Sequence, residues 1–187
     1  MKKKHHMKYP SSSIFNRDFL LKINVRNTFE IPQLSHISIN LTSRSLVAEK
    51  KHSLFPLVGL SLLSGQQPKV LRAKKSVAAF KLKKNAIIGC QLTLRKEKMR
   101  SFLQNLAVLV LPQMKKDPIF SNRTLAETSV LQLGFTEFLF FPELEKNFEL
   151  FETMQGCSIQ LHTTAKADFE KRLIWTSYNF PVYSKTA

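Results

Sequence analysis

Residues 89–95 read Gly-Cys-Gln-Leu-Thr-Leu-Arg, with apolar and polar side chains in alternation. In an extended chain the cysteine and both leucines point to one side, and the glutamine, threonine and arginine point to the other. Alternation with period two is typical of a strand that is buried on one side only. This stretch therefore predicts one strand of a sheet with an apolar face and a polar face.

The same alternation recurs elsewhere in the chain. It runs through residues 36–42, 129–135 and 157–164. Residues 67–72 carry a weaker form, because Pro68 suits only the start of a strand. Strands with one polar face form an antiparallel or mixed sheet that is covered on one side. These segments together predict a mostly antiparallel sheet.

Two segments in the first third of the chain have the apolar spacing of helices. One covers about residues 14–26. The other begins near Ser53, which places Pro56 in its first turn, and is closed by Gly65. Glycine suits the left-handed position that follows a helix. Both helices would lie against the apolar face of the sheet.

Two later segments also predict helices. Residues 102–110 are apolar almost all round, which indicates a deeply buried helix that ends at Pro112. A last helix carries Phe169, Leu173 and Thr176 as its buried stripe. With helices available to cover only one face, the other face of the sheet stays open.

The order of helices and strands predicts an α+β fold, a two-layer sandwich with helices packed on one sheet face and an open face opposite. A length of 187 residues suits a single domain. We expect a basic N-terminal arm over residues 1–12 and one domain over residues 13–187. A basic loop at about residues 74–86 joins two of the predicted strands.

The charge of the chain is high and unevenly distributed. It carries 29 Lys and Arg against 13 Asp and Glu, a net +16, with a pI near 10.1. Residues 66–100 hold eleven of the cations and one acid, a net +10, whereas residues 120–175 hold five cations and eight acids. One basic side on a folded protein indicates binding to a polyanion.

Several classes of function are excluded. The two cysteines form no Cys-x-x-Cys pair and the five histidines are scattered, so no metal site or other cofactor is expected. No catalytic motif is present, which argues against an enzyme. The apolar runs fall far short of the roughly 20 residues of a membrane span, and we expect no membrane partner.

Three regions are candidates for RNA contact. The polar strand face offers Asn40, Gln91, Thr93 and Arg95, although an ordinary solvated face is the alternative. Four cations in residues 95–100 oppose the dipole of the following helix, which a bound phosphate would offset; a solvated run of charge is the alternative.

The third region is the basic loop between two strands. Long basic connections of this kind are usually functional. Its one aromatic residue, Phe80, can either stack on a base or pack against its own loop.

The chain resembles the L-five family of large-subunit ribosomal proteins over about residues 13–181. Five ordered blocks and a closing Phe-Pro carry the resemblance. They are Ser-Gly-Gln-Gln-Pro at 64–68, Arg-Ala-Lys-Lys-Ser-Val-Ala-Ala-Phe-Lys-Leu at 72–82, Ile-Gly-Cys-Gln-Leu-Thr-Leu-Arg at 88–95, Phe-Pro-Glu-Leu at 141–144 and Thr-Thr-Ala-Lys-Ala-Asp at 163–168.

The resemblance implies a non-enzymatic protein of the central protuberance, with 5S rRNA or its equivalent on the sheet face. It also implies contacts with large-subunit rRNA, with neighbouring ribosomal proteins including the small-subunit head, and with peptidyl-site tRNA. The implied rRNA-binding residues are Asn40, Gln67, Lys69, Arg72, Lys74, Lys75, Ser76, Thr93, Arg95 and Lys96. The implied tRNA-facing loop residues are Phe80, Lys81, Lys83 and Lys84.

The chain departs from the family pattern at three glycine-containing sites. Residues 41–44 replace a Gly-rich turn, Lys96 replaces a Gly, and residues 122–126 replace a Gly-Arg-Gly segment. Glycine permits positive φ, so altered turns are expected, with Arg44 and Lys96 offering phosphate contacts instead.

This drift, together with 15 Phe and abundant Lys, resembles organellar members of the family. We therefore expect a mitochondrial ribosome, with a plastid ribosome as the alternative location. The alternative function is that of a free RNA-binding protein outside a ribosome.

Overall fold

The computed structural model describes residues 12–23, 27–42, 54–113, 130–137, 139–151, 155–178 and 180. These residues contain five strands that form one sheet. The strands are β1 (Leu34–Thr42), β2 (Lys69–Arg72), β3 (Ile87–Leu94), β4 (Val130–Glu137) and β5 (Gln155–Thr163). Their spatial order is β2-β3-β1-β5-β4, and every neighbouring pair is antiparallel.

The α-helices of the described residues include the four that the sequence predicts and two short ones, between β4 and β5, that it does not. They are α1 (Ser12–Lys22), α2 (Leu54–Ser64), α3 (Lys96–Asn105), α4 (Pro142–Glu145), α5 (Phe148–Phe151) and α6 (Asp168–Ser177). Helix α3 continues into a π-helical turn, Leu106–Val110, and a last α-helical turn, Leu111–Gln113. The predicted α+β fold is confirmed. Residues 1–11 of the predicted arm lie outside the described part.

The core lies between the helices and one face of the sheet. Alternate strand residues such as Ile37, Ile39, Leu94, Leu133 and Leu161 are at most 1% exposed. They join side chains of the helices in a single apolar cluster. The period-two pattern of the sequence therefore identified the buried sides of β1, β3, β4 and β5 correctly.

The end of helix α2 matches its prediction closely. Gly65 follows the helix with a φ of +59°, in the left-handed region, and Pro56 is buried in the first turn. Helix α1 buries Phe19, which is 2% exposed, and ends at Lys22, four residues before the predicted end. Ser53, the predicted start of α2, and residues 24–26 lie outside the described part.

The prediction for the helix over 102–110 is wrong in two respects. The helix passes Pro112 and continues to Gln113, and Val108 and Leu109 are 38% and 40% exposed rather than deeply buried. Proline lacks an N–H and its ring would collide with a carbonyl of the preceding turn in a regular helix. The wider π-helical turn, closed by the Leu111 N–H on the Leu106 carbonyl, accommodates the ring.

The buried stripe predicted for helix α6 is also wrong. Ile174 and Trp175 are buried, whereas Phe169 is 59% exposed. The indole of Trp175 packs edge-on against Phe180, with ring centroids 5.9 Å apart. The stem of Lys171 is buried beside them, and its Nζ donates to Asp168 Oδ1 over 3.1 Å. The large indole thus decides which side of α6 faces the core.

Candidate nucleic-acid interface

The open face of the sheet is polar across its three central strands. The antiparallel register places amides and hydroxyls side by side in two cross-strand rows. These rows are Gln91–Asn40–Ser158 and Thr93–Ser38–Gln160. Five of the six residues are partly exposed, and only Ser38 is buried. A rigid platform of donors and acceptors is suited to the base edges and 2′-hydroxyls of RNA.

The open face carries cations and no carboxylate among its described outward positions. Lys69 lies opposite Gln91 on the edge strand β2, and Arg95 follows the last residue of β3. Both side chains are exposed. An acid-free face with cations at its margin attracts phosphate without local repulsion.

One end of this face holds a pair of histidines that the sequence did not identify as a site. The rings of His36 and His162 stack with centroids 4.1 Å apart and planes 10° from parallel. Partial burial lowers the pKa of both imidazoles, and the positive charges of His162 and Arg95 lower that of His36 further. The alternation placed both residues on polar strand sides, but only the β1–β5 register brings them together.

The basic loop between β2 and β3 has its own hydrogen bonds. Val77 and Leu82 exchange two backbone bonds of 3.0 Å, and the Ala73 N–H donates to the Ala86 carbonyl over 2.9 Å. Ser76 Oγ donates to the Leu82 carbonyl over 3.0 Å, so this predicted rRNA-binding hydroxyl is used within the loop. The connection is an ordered hairpin extension of the sheet.

The tip of this hairpin is apolar and exposed. Residues 78–80 form a short 3-10 turn, and Phe80 is 67% exposed. Most of the Phe80 side chain is therefore left uncovered by its own loop. The loop cations around it are all exposed as well; they are Lys74, Lys75, Lys81, Lys83 and Lys84. An exposed ring among cations can stack on a base.

The cations at the start of helix α3 have different roles. Lys98 Nζ donates to the Gly65 carbonyl over 2.8 Å and so stabilises the C-terminal end of α2. Arg95 is exposed in extended backbone, and Lys96 is exposed with a φ of +52°. Lys96 thus stands where the family pattern has glycine. Its left-handed backbone is one that glycine adopts without strain and that a residue with a Cβ adopts only at a cost.

The other predicted residues line the same edge of the molecule. Gln67 is exposed just before β2, while its neighbour Gln66 donates from Nε2 to the Thr93 carbonyl over 3.2 Å. Arg72 is exposed where β2 ends and the basic loop begins. The predicted residues therefore form two connected regions, the open face and the hairpin.

The described residues form neither a metal-ligating cluster nor a membrane-spanning helix. They contain no group of three or more metal-ligating side chains. Among them, no helix combines the length and the apolar character that a membrane crossing needs. An open polar sheet beside a cationic hairpin is typical of RNA-binding proteins of the α+β class.

Comparison with known proteins agrees with this class. The profile for the C-terminus of the ribosomal L5 protein family matches residues 87–182. The large ribosomal subunit protein uL5 of Bordetella petrii is 31% identical over 164 residues, which cover 88% of this chain and 90% of that protein. The chain belongs to the ribosomal L5 (uL5) family. It is a structural constituent of the large ribosomal subunit that binds rRNA, and not an enzyme.

Proposed function

We propose that this protein holds 5S rRNA, or its equivalent, on the open sheet face in the central protuberance of the large ribosomal subunit. The observation that carries the proposal is the polar face, whose described outward positions hold no acid, with Lys69 and Arg95 at its margin. Asn40 and Thr93 supply hydrogen bonds within the face, and the two cations neutralise phosphates beside it. Large-subunit rRNA contacts the same basic side.

The hairpin between β2 and β3 reaches toward the peptidyl-site tRNA in this proposal. Its exposed Phe80 stacks on a nucleotide, and the surrounding lysines contact phosphates. The remaining surface contacts neighbouring ribosomal proteins, including those of the small-subunit head. Residues 120–175 favour such a role, because their eight acids and five cations suit proteins better than RNA.

The ribosome concerned is organellar, and in our proposal it is mitochondrial. The motivating feature is the drift away from the family's glycines, which leaves Lys96 in a left-handed conformation. Sedimentation of separate mitochondrial and plastid lysates through sucrose gradients tests this assignment. We expect the protein to co-migrate with the large subunit. Co-migration with plastid subunits would correct the location, and protein only at the top of the gradient would indicate a free RNA-binding protein.

Filter binding to a 5S rRNA transcript tests the interface. Between about 50 and 200 mM salt we expect affinity to fall by orders of magnitude, because several phosphate contacts release counterions. Arg95→Ala should weaken binding and reduce the slope of log affinity against log salt by about 1. Lys146→Ala is the matched control, since Lys146 is an exposed cation of the helical layer.

Two outcomes would contradict the proposed interface. An affinity that does not change with salt would exclude phosphate neutralisation as the basis of binding. Equal losses for Arg95→Ala and Lys146→Ala would show that binding follows total charge rather than the open face.

A further inference from the structure

The stacked histidines are the most unusual feature of the open face. His36 comes from β1 and His162 from β5, and the 4.1 Å stack brings both rings to the end of the face near Arg95. Both side chains are partly exposed. Two titratable rings in one place on an RNA-binding surface call for a role beyond packing.

The hydrogen bonds of Ser38 favour one tautomer of His162. Ser38 has one hydroxyl hydrogen, which it donates to Gln160 Oε1 over 3.2 Å. Its oxygen then accepts from His162 Nε2, 3.2 Å away, in the tautomer of neutral His162 that carries its proton on Nε2. The Nδ1 atom has no hydrogen-bond partner among the described residues. Protonation of His162 would add a second N–H donor there.

His36 also has one ring nitrogen in contact with a serine and one without a partner among the described residues. Its Nδ1 lies 3.0 Å from Ser35 Oγ, and its Nε2 has no partner among the described residues. Each ring therefore keeps one nitrogen that the described protein does not use. Because two stacked cations repel each other, the pair should take up one proton rather than two.

The surroundings of the pair supply no counter-charge. Arg95, from the end of β3, is the charged group of the described residues that faces His36, and it is positive. Strand β4 places uncharged Val130 opposite His162, and the described outward positions of β1 and β5 hold no acid. Partial burial lowers the pKa of both rings in the free protein, and the positive charges of His162 and Arg95 lower that of His36 further. A protonated pair thus needs an anion from outside.

We propose that His36 and His162 form a phosphate-binding element of the rRNA interface that takes up a proton when RNA binds. The proposal rests on the proposed function, which places rRNA on this face. A phosphate bound beside the histidine pair and Arg95 accepts a hydrogen bond from the new N–H group. It also supplies the negative charge that the protein itself does not place there. RNA therefore favours the protonated pair, and binding strengthens as the pH falls.

Fluorescence anisotropy with the full chain and a labelled 5S rRNA transcript tests the proposal at constant ionic strength. Between pH 7.5 and 5.5 we expect affinity to rise as the pH falls, with a limit of about tenfold per pH unit for one proton. The double variant His36→Gln, His162→Gln should lose this dependence. Lys69→Gln is the control, because it should lower affinity by a similar factor at every pH and keep the slope.

The outcomes separate this proposal from the proposed function. The same pH dependence in the double variant and the unchanged protein would overturn the histidine element, while RNA binding itself persists. Absence of RNA binding at every pH would overturn the proposed function. Should the double variant fail to fold, the proposal can be tested on the unchanged protein. NMR titration of its imidazole C–H signals, with and without RNA, gives the pKa of each histidine. We expect RNA to raise the pKa of the histidine pair above its value in the free protein. The same titration curve with and without RNA would overturn the proposal.

Discussion

Gly89 is required where strand β3 runs beside β1. A Cβ atom built on Gly89 would overlap the carbonyl oxygen of Leu41 and lie 2.9 Å from Thr42 Cγ2. Backbone atoms in a paired strand cannot move aside without breaking the ladder. The absence of a side chain here is thus a condition for the close pairing that builds the open face.

We expect Gly89→Ala to lower the free energy of unfolding by about 3 kcal/mol, because overpacking against backbone is poorly relieved. Urea denaturation followed by circular dichroism measures the change. Gly134→Ala is the matched control in the same sheet, since a Cβ there meets nothing within 4 Å. It should change stability by less than about 0.5 kcal/mol. Equal losses in both variants would contradict the close approach.

Lys96 stores local backbone strain. Its φ of +52° lies in the left-handed region, which costs a residue with a Cβ about 1 kcal/mol or more. Lys96→Gly should therefore raise the free energy of unfolding by up to about 1 kcal/mol, measured by urea denaturation. Arg100→Gly, in the same helix with ordinary helical backbone, should lower it by about 1 kcal/mol. Destabilisation by Lys96→Gly would contradict this assignment.

At the scale of elements, the strands were predictable and the helix faces were not. A strand has only two sides, so alternation in residues 89–95 determines which side is buried. A helix can present any side of its circumference, and large residues such as Trp175 decide it by tertiary packing. Pro112 predicted the end of a helix. The helix continues past this residue because the π-helical turn before it accommodates the proline ring.

The covered side of the sheet makes two thiols unreactive. Cys90 and Cys157 are free and buried on β3 and β5, and burial raises the pKa of each to about 12. At pH 8 the thiolate fraction then falls to about one in ten thousand. We expect negligible alkylation by iodoacetamide in the native protein and modification of both residues in 8 M urea. Rapid native modification would contradict the burial of these strands.

At the scale of the molecule, the sequence predicted the basic side better than the detailed site. The excess of cations in residues 66–100 maps onto one strand–hairpin–strand unit and the helix after it. Asn40, Thr93 and Arg95 could be placed from alternation and resemblance. The histidine pair could not, because His36 and His162 meet only through strand pairing between distant parts of the chain.

A truncated chain tests the dependence of the whole molecule on its last strand. Without residues 155–187, β1 loses β5 as a partner and much of the apolar cluster loses its cover. We expect such a chain to show no cooperative thermal transition, measured by circular dichroism and calorimetry. A sharp transition near that of the complete chain would show that β2, β3 and β1 fold without β5.

The order of strands in the sheet also determines when each strand can pair during synthesis. The central strand β1 is made early, but its neighbours β3 and β5 leave the ribosome later, and β5 ends at Thr163. The β2–β3 hairpin is the local part that can form first. Pairing between distant segments carries a large loop-closure cost and slows folding. Until Thr163 has left the ribosome the nascent chain exposes an unpaired β1 edge, and such an edge is an aggregation hazard.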